Sequence, residues 1–145
     1  MEILRRPDFI DTSPTGCVAT IGNFDGLHRG HRAVIEHVRQ QAQAMQLPAT
    51  VISFEPLPIE YFRSPPPPRI YALRDKLRLL QAMQVEKFLC LRFDHELATM
   101  DAEDFIHSIL LDGLKVRYLV VGDDFRFGKG RRGDYHLLKK LGDAY

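Results

Sequence analysis

Two histidines three residues apart, His28 and His31, bracket Gly30 in the stretch Gly22-Asn23-Phe24-Asp25-Gly26-Leu27-His28-Arg29-Gly30-His31. That spacing puts both imidazoles within one turn at the start of a predicted helix. They stand beside the backbone N–H groups that a helix N-terminus leaves without intrahelical partners, and phosphate is the natural guest of such a place. Gly22, Gly26 and Gly30 permit tight turns and let a bulky ligand approach the backbone. The other four histidines, His37, His95, His107 and His136, lack this context and read as ordinary surface or core residues. A second stretch, Gly122-Asp123-Asp124-Phe125-Arg126-Phe127-Gly128, runs into Lys129, Arg131 and Arg132. Guanidinium groups engage phosphate oxygens bidentately, so this loop reads either as a phosphate clamp or as a solvated basic tip. Phe125 and Phe127 alternate with its charges and suit a ring-flanking role or core packing equally.

These residues need elements to position them. Four apolar runs, at residues 17–21, 50–54, 87–91 and 116–121, are continuous rather than alternating, which predicts strands buried on both faces. Helical stripes lie between them. Val34, Val38, Ala42 and Met45 mark a helix over residues 33–45, and Leu73, Leu77, Leu80 and Met83 mark one over 73–83. A third is expected from an N-cap at Asp101 through Phe105, Ile106, Ile109 and Leu110 to Gly113. Residues 55–72 carry Pro56, Pro58 and the proline run 65–68, with neither helical nor strand pattern. Strand and helix alternate, so the expected fold is α/β, a Rossmann-like parallel sheet with flanking helices. In such sheets ligands bind outside the carboxyl ends of the strands, and the motifs at residues 22–31, 55–58 and 122–128 all follow strands.

Composition narrows the classes. The chain has 145 residues, 45% of them hydrophobic, enough for one domain with a core. Twenty Lys and Arg against nineteen Asp and Glu leave a formal charge of +1, so no global field marks a nucleic-acid binder. No apolar stretch predicts a membrane span or a signal peptide, and a cytosolic protein is expected. Cys17 and Cys90 each sit in an apolar run, the usual setting of a buried reduced thiol.

The His28-Arg29-Gly30-His31 motif resembles the His-x-Gly-His signature of the nucleotidyltransferase superfamily. With Thr20-Ile21 before the glycine turn, Phe54-Glu55-Pro56-Leu57-Pro58 and Val121 leading into the 122–128 stretch, the chain is similar to the N-terminal half of bacterial bifunctional riboflavin kinase/FMN adenylyltransferases, from about residue 16 to 142. The resemblance implies transfer of AMP from ATP to the phosphate of FMN, giving FAD and pyrophosphate. It implies that His28 and His31 contact the ATP phosphates catalytically. Gly22, Asn23, Phe24, Asp25, Gly30, Asp124, Phe125, Arg126 and Gly128 are expected along the nucleotide, and Phe54, Pro56 and Pro58 on the flavin side. Mg²⁺ is expected with the phosphates, with Asp25, Asp123 and Asp124 as open candidates to hold it. The family's Ser/Thr-rich segment ending in Ile-Arg and its riboflavin kinase domain lie beyond the resemblance. Residues 1–145 are thus expected to form an adenylyltransferase domain cut short at its C-terminal end, with a covalently linked kinase domain in the longer protein. Two other readings stay open here: a relative that uses another phosphate acceptor, and a nucleotide-binding module without turnover.

Overall fold

Among the described residues, five strands form one parallel sheet: β1 (Glu2–Leu4), β2 (Cys17–Ile21), β3 (Ala49–Glu55), β4 (Lys87–Arg92) and β5 (Val116–Val120), in the order β1-β4-β3-β2-β5. The computed structural model describes residues 1–4, 15–25, 29–66, 68, 72–122 and 125–144. Side chains alternate across a strand, and here both faces are covered. Cys17, Ala19, Ile21, Ile52, Phe54, Leu89 and Leu91 join one apolar cluster; Val51, Phe88 and Cys90 join a second, and Val18 and Ala49 a third. That explains why β2, β3 and β4 read as unbroken apolar runs.

Helices α1 (Arg29–Met45) and α3 (Leu73–Ala82) cover the face that carries Val51 and Phe88. Ile35, Val38 and Ala42 are the buried stripe of α1. Ile35 and Val38 alone contribute about 1.5–3 kcal/mol each by leaving water. The opposite face packs against α4 (His95–Thr99) and α5 (Ala102–Phe105), the latter continuing as a π-helix over Ile106–Gly113. A short helix, α2 (Pro58–Phe62), follows β3, and α6 (Tyr135–Ala144) closes the described chain. The expected α/β architecture therefore holds.

Four expectations need correction. Residues 55–72 were expected to lack a pattern, yet α2 forms there, with Pro58 in its first turn and the Glu60 carboxylate accepting from the Leu57 N–H at 2.7 Å. Asp101 stands at the N-cap of α5 but makes no side-chain capping bond. The expected strand at 116–121 ends at Val120 and is not buried on both faces: β5 is the last strand of the sheet, and Arg117 and Tyr118 are exposed. The sheet also has a fifth strand, β1, of only three residues, which pairs in parallel with β4 and has no pattern of its own to mark it. Cys17 and Cys90 are buried and free, as expected.

Candidate active site

The carboxyl ends of β2, β3 and β4 open into a cleft of about 790 Å³, within the range that holds small-molecule ligands. One wall is aromatic. Phe54 is the last residue but one of β3, Phe62 ends α2, and Phe93 follows β4; Phe93 stands edge-on to Phe54 at 5.7 Å, to Tyr61 at 5.4 Å and to Phe62 at 5.7 Å. Phe62 is 67% exposed and Tyr61 40%. Large apolar side chains so open to water at a cleft mouth signal a binding surface. Pro58 and Ile59 of α2 line the same wall.

The other wall is the loop after β5. Phe125 stacks on Phe127 at 5.6 Å and 15°, and Phe127 in turn meets Phe105 of α5 at 5.5 Å. An antiparallel bridge ties Phe127 to Gly133, and a Cβ on Gly133 would lie 2.6 Å from the Phe127 ring. The loop is thus pinned by its aromatic core, with Arg126 and Arg131 lining the cleft. Arg126 pairs with Asp134 at 3.2 Å. Asp134 also accepts from the Leu137 N–H at 2.9 Å at the start of α6, and that backbone bond first, then the Arg126 charge, holds its carboxyl below the usual range. Arg63, Arg126 and Arg131 make this rim cationic.

Between β2 and α1 the chain turns through Asn23, Phe24 and Asp25. The Gly22 N–H donates to the Ile52 carbonyl at 3.0 Å, and Asn23 lines the cleft. Phe24 takes a positive φ of 50° and is buried beneath α1, packed with Ile35 and Val51. Its ring stands edge-on to the His31 imidazole at 5.2 Å and 65°. Gly30 and His31 lie in the first turn of α1. Of the expected site residues, the structure brings Asn23, Phe54, Pro58, Phe125, Arg126 and Gly128 together in the cleft. Gly22, Phe24, Asp25, Gly30 and His31 form the adjoining turn and helix start, and Pro56 is exposed outside the lining. His28, Asp123 and Asp124 fall outside the described residues.

Three contributors escaped the sequence reading. No periodic pattern in the sequence marks Phe62 or Phe93, and it is the meeting of α2 with the end of β4 that makes them neighbours. Lys76 is 1% exposed in α3, and its ammonium donates to the Asn23 carbonyl at 2.6 Å and lies 3.5 Å from Ser53 Oγ. Its signal was available: position 76 falls three residues after Leu73 and four before Leu80, on the apolar stripe. A second hollow, about 590 Å³ and lined by Arg39, Gln43, Gln46, Gln84 and Glu86 among others, adjoins the amino ends of β3 and β4, away from these residues.

Residues 10–145 match the FAD synthetase family. The bifunctional riboflavin kinase/FMN adenylyltransferase of Escherichia coli (strain K12) is 46% identical over 147 residues, covering 100% of this chain and 47% of that protein. The protein of the same description from Haemophilus influenzae is 42% identical, over 96% of this chain and 46% of its own length. The chain thus spans about half the length of these relatives. A crystal structure described as a macrolide-efflux protein from Streptococcus pneumoniae superposes with a TM-score of 0.81 at 22% identity, over 99% of this chain and 48% of the other; at that identity it speaks to the fold alone. Among the described residues no helix is long and apolar enough to cross a membrane. With the match running from residue 10 to the last residue, and relatives aligned over all or nearly all of it, the chain belongs to the FAD synthetase family.

Proposed function

We propose that the chain transfers AMP from ATP to the phosphate of FMN, releasing pyrophosphate and forming FAD. One observation carries the reading: a single cleft joins an aromatic wall suited to a flavin (Phe54, Phe62, Phe93) to a cationic rim (Arg126, Arg131) beside the glycine turn and the start of α1. In this reading an FMN phosphate oxygen attacks the α-phosphorus of ATP, the bond to the β-phosphate oxygen breaks, and the electron pair leaves with pyrophosphate. The attacking phosphate is already ionised, so no side chain must first remove a proton. What remains for the protein is alignment and stabilisation of charge on the leaving oxygens. His31, with His28 as the motif implies, donates to the phosphates at the start of α1; Arg126 and Arg131 engage the same charge from across the cleft. Asn23, Phe125 and Gly128 border the nucleotide, while Phe54 and Pro58 face the flavin.

Mg²⁺ belongs to the proposal. Among the described residues no group of three or more His, Cys, Asp or Glu is placed to hold a metal. Magnesium ordinarily keeps several waters and takes one or two carboxylates plus substrate phosphates. A single carboxylate in the turn, Asp25, fits that pattern, with Asp123 and Asp124 as further candidates. When bound, the cation neutralises charge on the departing pyrophosphate. A linked riboflavin kinase domain in the longer protein and a cytoplasmic location complete the reading; the relatives' bifunctional description supports the first. The test is direct. Incubation with ATP, Mg²⁺ and FMN should yield FAD and pyrophosphate in equal amounts, and a folded protein that forms no FAD above background would refute the assignment.

A further inference from the structure

We propose that Lys76 is a positioning residue whose buried ammonium, from helix α3, holds the 22–25 turn and through it the His31 imidazole. The inference starts from an oddity of packing. Leu73, Leu77 and Leu80 share the inward stripe of α3, and a leucine or methionine would fill position 76 without bringing a charge into the core. Burying an ammonium carries a desolvation penalty that only well-placed acceptors offset. Two acceptors lie close to it, one in the turn and one on β3. Lys76 Nζ lies 2.6 Å from the Asn23 carbonyl oxygen, a short charge-assisted bond, and 3.5 Å from Ser53 Oγ. Ser53 Oγ also donates to the Asn23 carbonyl at 3.2 Å, so two donors from different elements converge on one backbone oxygen.

That oxygen immediately precedes the least relaxed residue of the turn. Phe24 has a φ of 50°, a left-handed conformation uncommon for a bulky side chain. Such a conformation persists when its surroundings over-determine it. Here the surroundings are the clamp on the Asn23 carbonyl before it and the packing of its ring against Ile35 and Val51. The same ring is the edge-on neighbour of His31. A continuous chain therefore runs from the Lys76 ammonium to the Asn23 carbonyl, to the Phe24 ring, to the His31 imidazole. Lys76 lies outside the cleft lining and acts through the turn.

The effect on catalysis rests on the proposed function; the effect on the turn does not. In the full chain, Lys76→Met keeps the volume and removes the donor. The expected result is a melting temperature at or above that of the unaltered protein, amide hydrogen exchange at residues 23–25 faster by about tenfold, and kcat lower by about 10–100-fold with the KM for ATP changed much less. A packing role alone, with the volume kept by methionine, would leave exchange at the turn no more affected than elsewhere. Ser53→Ala, which removes the second donor with little change of volume, should shift exchange at the turn in the same direction by a smaller factor, and decides the matter should Lys76→Met fail to fold. Unaltered exchange at residues 23–25 in Lys76→Met, or in Ser53→Ala where only that variant folds, overturns the proposal. If the unaltered chain itself makes no FAD, the functional reading fails while exchange at the turn still decides on Lys76.

Discussion

Replacing Gly128 with alanine should disable the basic loop while leaving the sheet standing, and the structure sets the size of the effect. Gly128 has φ 77° and ψ 175°, a region open essentially to glycine alone. A Cβ there would fall 2.7 Å from Ala102 Cα and 2.8 Å from Ala102 N. Those are backbone atoms at the first turn of α5 and cannot rotate aside. The dihedral alone costs about 1–3 kcal/mol. Relieving the overlap means lifting the loop, which also breaks the 2.8 Å bond from the Lys129 N–H to the Met100 carbonyl, at about 1 kcal/mol. Together, at about 2–4 kcal/mol, these lower the equilibrium constant for the docked loop by about 30–1000-fold. Gly130 is the internal control. Its φ of 64° and ψ of 18° are ordinary left-handed helix values, and a Cβ would meet nothing nearer than 3.8 Å. Gly130→Ala should therefore cost only about 1 kcal/mol. FAD formation, melting temperature and hydrogen exchange at Lys129 would be measured in both variants. Gly128→Ala should lose most of its turnover and all protection at Lys129 with only a small change in melting temperature, because the loop opens locally. Equal turnover in the two variants would refute the argument that contact with Ala102 docks the loop.

Removing the His31 side chain as His31→Ala should lower the rate of FAD formation by about 10²–10³ with the fold retained, the scale for deleting one preorganised donor; circular dichroism and steady-state kinetics check it, and His28→Ala should behave alike. Phe62→Ala should raise the KM for FMN by about 2–10-fold and leave that for ATP nearly unchanged, since an exposed aromatic wall is worth about 0.5–1.5 kcal/mol to a stacked ring; a shift confined to ATP would reverse the assignment of the two walls. Burial pushes the Cys17 thiol up from 9.0 to about 11. The folded state then holds its proton where the unfolded chain has released it, so stability should fall as pH rises from about 9 to about 11, by up to roughly 2–3 kcal/mol. Denaturant titrations across that range test this, and Cys17→Ala should flatten the slope.

What the sequence determined by itself were the features carried by short-range pattern. Continuous apolar runs marked β2, β3 and β4, because a strand covered on both faces has no polar side to show. Stripes of 3.6-residue period marked α1 and α3. The α/β class and the placing of the motifs at the carboxyl ends followed from alternation alone. Tertiary structure decided the rest. Three residues such as Glu2–Leu4 become a strand because β4 offers a partner edge, and β5 shows polar residues because it is the outermost strand. Phe62 and Phe93 are far apart in the chain and unremarkable in it; the cleft wall exists only where α2 meets the end of β4. Lys76 makes the same point most sharply. Its place on the apolar stripe says core, and it is contacts across the fold, among them the Asn23 carbonyl 53 residues away at 2.6 Å, that give a buried ammonium a reason to be there. Local pattern encodes which face of an element is buried, whereas a hydrogen bond across the fold depends on where two distant segments come to rest.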